Sequence, residues 1–309
     1  MDNLLRNFKP NVSEQTIKTY INSIDMVLKM VDASNNSILY DTKKILLALK
    51  DKNKNTQKTR IASIIVLLQA MKNKRNTKKT DKALLEYSSH IDFLKTSLNS
   101  ELELNEKNEK QKEKWMSKDD IKLISETLLK KIPATIRTQS DLNSFRDYII
   151  WEIYMSIPTR NDLIYSKIIM KPKNVNTLSH DSNYILLDKA KREVSYVRNV
   201  SKTSRSELVK TFKLNPDLYQ VLLEYKKNVY KFNNPDKLLI LGDKGEKISA
   251  NRFGVIFSNI TKRILGRRIG TTMIRHIGAS EDIKINDLKE KAERQGHSVD
   301  MHIEYAKKD

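Results

Sequence analysis

Apolar residues recur at helical spacing through Ile17, Ile21, Ile24, Val27, Leu28 and Val31, and Ser13 stands ahead of them where an N-cap belongs. A shorter helix is expected over 41–49. Asn55 or Thr56 is placed to open the next, with Ile61, Ile64, Ile65, Leu68 and Met71 on one face and Lys58, Thr59 and Arg60 on the other. A fourth helical stretch, 82–98, carries Leu84, Leu85, Ile91 and Leu94. Residues 1–100 therefore read as a small all-helical domain. The pattern then stops: 101–114, ELELNEKNEKQKEK, has almost no apolar residue after Leu104 and reads as a charged linker or solvated helix.

A second domain is expected over 115–309. Ser117 and Asp120 have capping-box spacing, and Ile121, Ile124, Leu128 and Leu129 follow on one face. Residues 141–156 predict a strongly apolar helix that ends near Pro158. The period then changes from helix to strand. Segments 184–187, 193–200 and 208–214 predict three strands of a small antiparallel sheet. Helices follow over 216–231, 249–265, 271–280 and 284–295. The fold class is α+β, mostly helical, with an all-α N-terminal domain and a C-terminal domain of helices around a three-stranded antiparallel sheet.

Charge sharpens this picture. Lys plus Arg number 58 against 38 Asp plus Glu, a formal charge of +20 on 309 residues. Self-repulsion of that size is relieved by an anionic partner, and nucleic acid gains by releasing its condensed counterions. An AT-biased genome would also enrich Lys, Asn and Ile, which suits a virus or mobile element. There is no cysteine, which excludes disulfides, thiolate zinc sites and cysteine nucleophiles. No Gly-rich phosphate loop occurs, and no apolar run approaches the roughly 20 residues that span a bilayer. The expectation is an intracellular protein at DNA, with no membrane contact and no cofactor.

Five positions have chemistry to offer: Arg160 in SIPTRNDL, Lys202 in VSKTSRSE, Arg275 in TTMIRHIGAS, His297 in ERQGHSVD and Tyr305 in HIEYAKK. Singly, each is as well explained by a surface charge, a turn residue or a packed ring. In order and context they resemble the tyrosine recombinase (phage integrase) family. That family has an Arg after a helix, a Lys in a β-hairpin turn, a His-x-x-Arg-His box, a Gly-His-Ser turn, and a nucleophilic Tyr eight or nine residues later. Here Arg275-His276 matches the box, Gly296-His297-Ser298 the turn, and Tyr305 lies eight residues after His297. The match covers 115–305, and the first hundred residues more loosely resemble the family's core-binding domain.

The resemblance implies a metal-independent enzyme that cuts and rejoins double-stranded DNA through a 3′-phosphotyrosine. It implies a homodimer on each site, a homotetramer at synapsis, and a duplex held between the two domains. Arg160 and Arg275 would clamp the non-bridging oxygens, Lys202 would protonate the leaving 5′ oxygen, His297 would stabilise the transition state and Tyr305 would attack. Lys58, Arg60, Arg263, Arg267 and Arg268 are candidates for positioning contacts to phosphates.

Three departures stand out. Thr272 occupies the first His of the box and cannot act as a base. Leu163 stands where an acid often follows the first Arg by three residues, with Asp162 one residue early. Only four residues follow Tyr305, so either a different assembly or a longer natural chain is expected in place of the family's regulatory C-terminal helix. Two alternatives share the pocket or the scaffold: a monomeric type IB topoisomerase, and a DNA-binding protein that has lost catalysis.

Overall fold

The computed structural model describes residues 1–74, 77–103, 107–159, 161–200 and 210–280. The chain divides into two compact units, Met1–Leu104 and Asn105–Asp309.

The first unit is all helical: α1 (Asp2–Phe8), α2 (Glu14–Met30), α3 (Thr42–Leu49), α4 (Lys54–Lys74) and α5 (Lys78–Glu103). Short polar side chains set the starts. Ser13 Oγ accepts from Thr16 N at 3.2 Å, Asp41 Oδ1 from Lys44 N at 3.1 Å and Asn53 Oδ1 from Thr56 N at 2.8 Å. Each satisfies a helix-end N–H that has no partner within its own helix. Ile17, Ile24, Ile45, Leu49, Ile61, Ile64 and Leu68 meet in one core. Tyr87 is fully buried among them and its hydroxyl donates to the Leu39 carbonyl at 2.8 Å.

The second unit begins with α6 (Glu109–Lys114), so the charged stretch before Trp115 is partly helix, closed by an Asn108–Gln111 capping box. Then come α7 (Lys118–Lys130), with the Ser117–Asp120 box, and α8 (Gln139–Ser156), with a Thr138–Asp141 box. Four strands follow: β1 (Ser166–Met170), β2 (Asn183–Asp188), β3 (Glu193–Arg198) and β4 (Lys210–Lys213). The described chain ends with α9 (Leu218–Val229), α10 (Ala250–Leu265) and α11 (Thr271–Ser280). The helix expected over 284–295 lies outside the described residues.

The α+β class holds, and the sheet corrects one expectation. Among the described residues it has four strands in the order β1-β2-β3-β4, not three, and it is mixed, because β1 runs parallel to β2. The parallel pair needs a crossover, supplied by 171–182. Val175 and Leu178 from that crossover pack with Ile169 over Tyr184, Leu186 and Val197. The sheet is thereby covered on both faces, as a parallel pair requires. Residues 237–239 cap the free edge of β1: Ile168 N donates to the Lys237 carbonyl at 3.1 Å and Leu239 N to the Ser166 carbonyl at 2.8 Å.

Helix α8 is the axis of this unit. Ile149, Ile150, Trp151, Ile153 and Tyr154 are all buried, so it is apolar round most of its circumference and other elements must enclose it. Trp151 stacks on Phe257 of α10 at 5.8 Å between ring centroids, and Tyr154 meets Phe253 and Phe257 at 5.6 and 5.0 Å. These aromatic contacts fix α10 against α8, and with it the base of α11.

Candidate functional site

Of the five residues proposed from the sequence, Arg275 lies among the described residues; Arg160, Lys202, His297 and Tyr305 lie outside them. The surroundings of Arg275 are well defined. Thr261, fully buried on α10, accepts from Ile269 N at 2.9 Å and donates to the Ser258 carbonyl at 3.0 Å, which ties the α10–α11 connection to α10. Thr271 opens α11 and donates its hydroxyl to Asn161 Oδ1 at 2.8 Å. Asn161 in turn donates to the Ala250 carbonyl at 3.0 Å and accepts from the Tyr154 hydroxyl at 3.4 Å. One side chain, the immediate neighbour of position 160, thus joins the end of α8 and the starts of α10 and α11.

Arg275 sits one turn into α11 with 6% of its surface exposed. A guanidinium there stays charged and needs anionic or hydrogen-bonding surroundings. One buried neighbour that feels its charge is the Tyr154 hydroxyl. Burial pushes its pKa well above the ordinary value and Asp162 pushes it further, while Thr159 and Arg275 act the other way. Asp162 and Arg275 therefore bear on the same buried hydroxyl with opposite sign. Asp162 is 7% exposed, whereas Leu163, at the position where an acid was expected, is in the hydrophobic core. Thr272 is exposed.

A second polar anchor stands at the base of the β3–β4 connection. Asn183, fully buried at the start of β2, donates to the carbonyls of Asp162 at 3.0 Å and Val200 at 2.9 Å. Its Oδ1 accepts from the N–H groups of Asn199 and Val200 at 2.8 and 2.7 Å. Asn199 Nδ2 donates onward to the Ser182 carbonyl at 2.8 Å, and the Arg198 guanidinium lies 5.3 Å from the centroid of the Phe212 ring. Asn183 thus holds together the segment just after position 160 and the segment just before Lys202. Neither Asn161 nor Asn183 was singled out from the sequence. The one available signal was a carboxamide heading the otherwise apolar run Tyr184-Ile185-Leu186-Leu187.

A buried charge network lies between α8 and α10. Arg146 (3% exposed) bonds Asp147 Oδ1 through Nε at 3.1 Å and Nη2 at 2.7 Å. It also bonds Asp243 Oδ1 at 3.1 Å and the Leu241 carbonyl at 3.0 Å. The second oxygens of these carboxylates reach outward, Asp147 Oδ2 to Arg263 and Asp243 Oδ2 to Arg252. Of the arginines considered for phosphate contact, Arg267 is occupied within the protein: it bonds Asp120 at 3.0 Å and the Glu113 carbonyl. Among the described residues no group of three or more His, Cys, Asp and Glu side chains is gathered as a metal ion would require.

No family model matches the sequence, and no curated protein matches it. Among solved structures, the chain is similar to the crystal structure of XerA recombinase. The TM-score is 0.44 at 15% identity, over 100% of this chain and 94% of that one.

Proposed function

We propose that this chain is a tyrosine-type site-specific DNA recombinase or integrase. The observation that carries the reading is the Thr271–Asn161 hydrogen bond at 2.8 Å. It ties the first turn of the helix bearing Arg275 to the residue next to Arg160, across 110 positions of sequence. The helix that carries Arg275 is thus joined, through one carboxamide, to the sequence neighbour of the arginine that the family pattern pairs with it. The ordered motif that runs on to Tyr305 supplies the rest.

In the proposed reaction the Tyr305 oxygen attacks a backbone phosphorus and the P–O5′ bond breaks. Lys202 gives its proton to the departing 5′ oxygen, leaving a 5′-hydroxyl and a 3′-phosphotyrosine. Arg160 and Arg275 balance the charge that builds on the non-bridging oxygens, and His297 donates a hydrogen bond to one of them. The phenolic proton passes to water or to the phosphate, because Thr272 offers no base at neutral pH. Rejoining reverses these steps on a second 5′-hydroxyl. The family pattern brings with it dimers on each site and a tetramer at synapsis.

Nicked suicide duplexes test this reading, because they trap the covalent intermediate. A denaturant-resistant protein–DNA adduct that is lost in both Tyr305→Phe and Arg275→Ala is the expected result. Binding without an adduct points to a scaffold that has lost catalysis. An adduct accompanied by relaxation of supercoils by a monomer points to a type IB topoisomerase.

A further inference from the structure

The cleft between α8 and α10 has a volume of about 450 Å³ and a lining unlike that of the Arg275 site. Arg146, Lys262, Arg263 and Arg268 face Asp147 and Asp243 across it, with Asn259 and Ile256 completing the wall. Resting on the DNA-acting reading above, we infer that this cleft seats a phosphodiester of the DNA backbone other than the one being cut.

The charge is divided in a way that suits an arriving anion. Both carboxylates are already engaged, each sharing one oxygen with the buried Arg146 and giving the other to an outward arginine. Cations therefore exceed carboxylates two to one on the lining, and the surplus lies on the open side. Lys262, Arg263 and Arg268 are exposed, and Arg268 makes no ion pair among the described residues. The Arg263 guanidinium is tethered to Asp147 through one nitrogen and keeps further N–H donors for a second acceptor. A guanidinium already held in place loses less conformational freedom when it binds, and its planar donors match the paired oxygens of a phosphate.

The lining also argues against other ligands. Ile256 is its one apolar side chain, so an apolar molecule gains little there. A free phosphate would use a single point. Arg252 stands on the same face of α10, eleven residues and about 16 Å of helix from Arg263, with Ile256 and Asn259 between them. Cations that far apart can meet separate phosphates of one strand, which a free phosphate does not offer.

The test uses the full chain and a duplex, with equilibrium binding followed by fluorescence anisotropy over a range of salt concentrations. A cation that neutralises one phosphate contributes about one to the slope of log K against log salt. Arg263→Ala and Arg268→Ala should each lower that slope by about one and weaken binding about tenfold at physiological salt. Lys227→Ala, which removes an equally exposed charge on α9, should change neither. Arg268→Ala breaks no ion pair, so a wild-type melting temperature separates its effect from misfolding, and Arg263→Lys should restore the slope. Unchanged slopes in both alanine variants, or an equal change in Lys227→Ala, overturn the inference and leave the recombinase reading intact. So does loss of thermal stabilisation by inorganic phosphate with no change in DNA binding, which would mark a free-anion site. A wild-type chain that binds no duplex overturns both.

Discussion

Asn183 grips Val200 through both of that residue's backbone groups, accepting from its N–H at 2.7 Å and donating to its carbonyl at 2.9 Å. The same carboxamide reaches Asn199 N and the Asp162 carbonyl, so its polar atoms are fully used at a fully buried position. Asn183→Ala would leave several buried backbone groups unpaired. A loss of about 3 kcal/mol is expected, since each orphaned group costs about 1–3 kcal/mol and neighbouring losses are not additive. Chemical denaturation followed by tryptophan fluorescence measures this cleanly, because Trp115 and Trp151 both belong to the second unit. A loss under 1 kcal/mol would show that the anchor is dispensable.

Thr271→Val keeps the shape of the side chain and removes its hydrogen bond to Asn161. About 1 kcal/mol of stability should go with it. If α11 is what aims Arg275, the rate of adduct formation should fall by more than the lost folded fraction explains. A proportionate fall would restrict Thr271 to a stabilising role.

Arg146→Met should cost about 3–5 kcal/mol, because Asp147 would then keep its charge in the interior without its main partner. Converting both members of the pair, Arg146→Met with Asp147→Leu, should recover much of that loss, since apolar groups of similar volume need no counter-charge. Denaturation midpoints of the two variants decide the matter. A double variant no more stable than the single one would mean that the bonds to Leu241 and Asp243 dominate.

Alkaline pH should open the second unit. Burial raises the hydroxyl pKa of Tyr154, Tyr196 and Tyr225 above the ordinary 10.0, and that of the half-buried Tyr230 to about 12. A tyrosine whose folded value is raised gives its full contribution below the unfolded value of 10.0. That contribution shrinks as pH rises toward the folded value, because the unfolded chain then holds fewer protons. Stability should therefore fall above pH 10, with phenolate absorbance rising cooperatively as tryptophan fluorescence reports unfolding. Independent, non-cooperative ionisation of all twelve tyrosines would contradict this.

Local chemistry made much of the fold legible. Ser13, Asp41 and Ser117 cap helices where short polar side chains precede apolar periodicity, and the helices expected over 249–265 and 271–280 stand as α10 and α11. Strand β1 was not legible. Ser-Lys-Ile-Ile-Met is five residues long, and its parallel partner lies beyond a crossover that local pattern does not announce. The long-range polar contacts were hidden for the same reason. Asn161 meets Thr271 110 positions away, and Arg263 meets Asp147 116 positions away, so their roles exist only after the chain has folded. Arg275 stands out in the sequence because its neighbours form a pattern, and that route cannot reveal partners made by packing.

Gly266 closes α10 with φ of +72°, a left-handed conformation that a side chain would strain. Immediately beyond it, twin arginines part company. Arg267 is bound to Asp120 and Glu113, and Arg268 opens onto the α8–α10 cleft. Neighbours with the same side chain therefore answer to different masters. A change at Arg267 is felt in how firmly the unit holds together, a change at Arg268 in what it holds onto, and a side chain at the capping glycine would strain the turn that sets both.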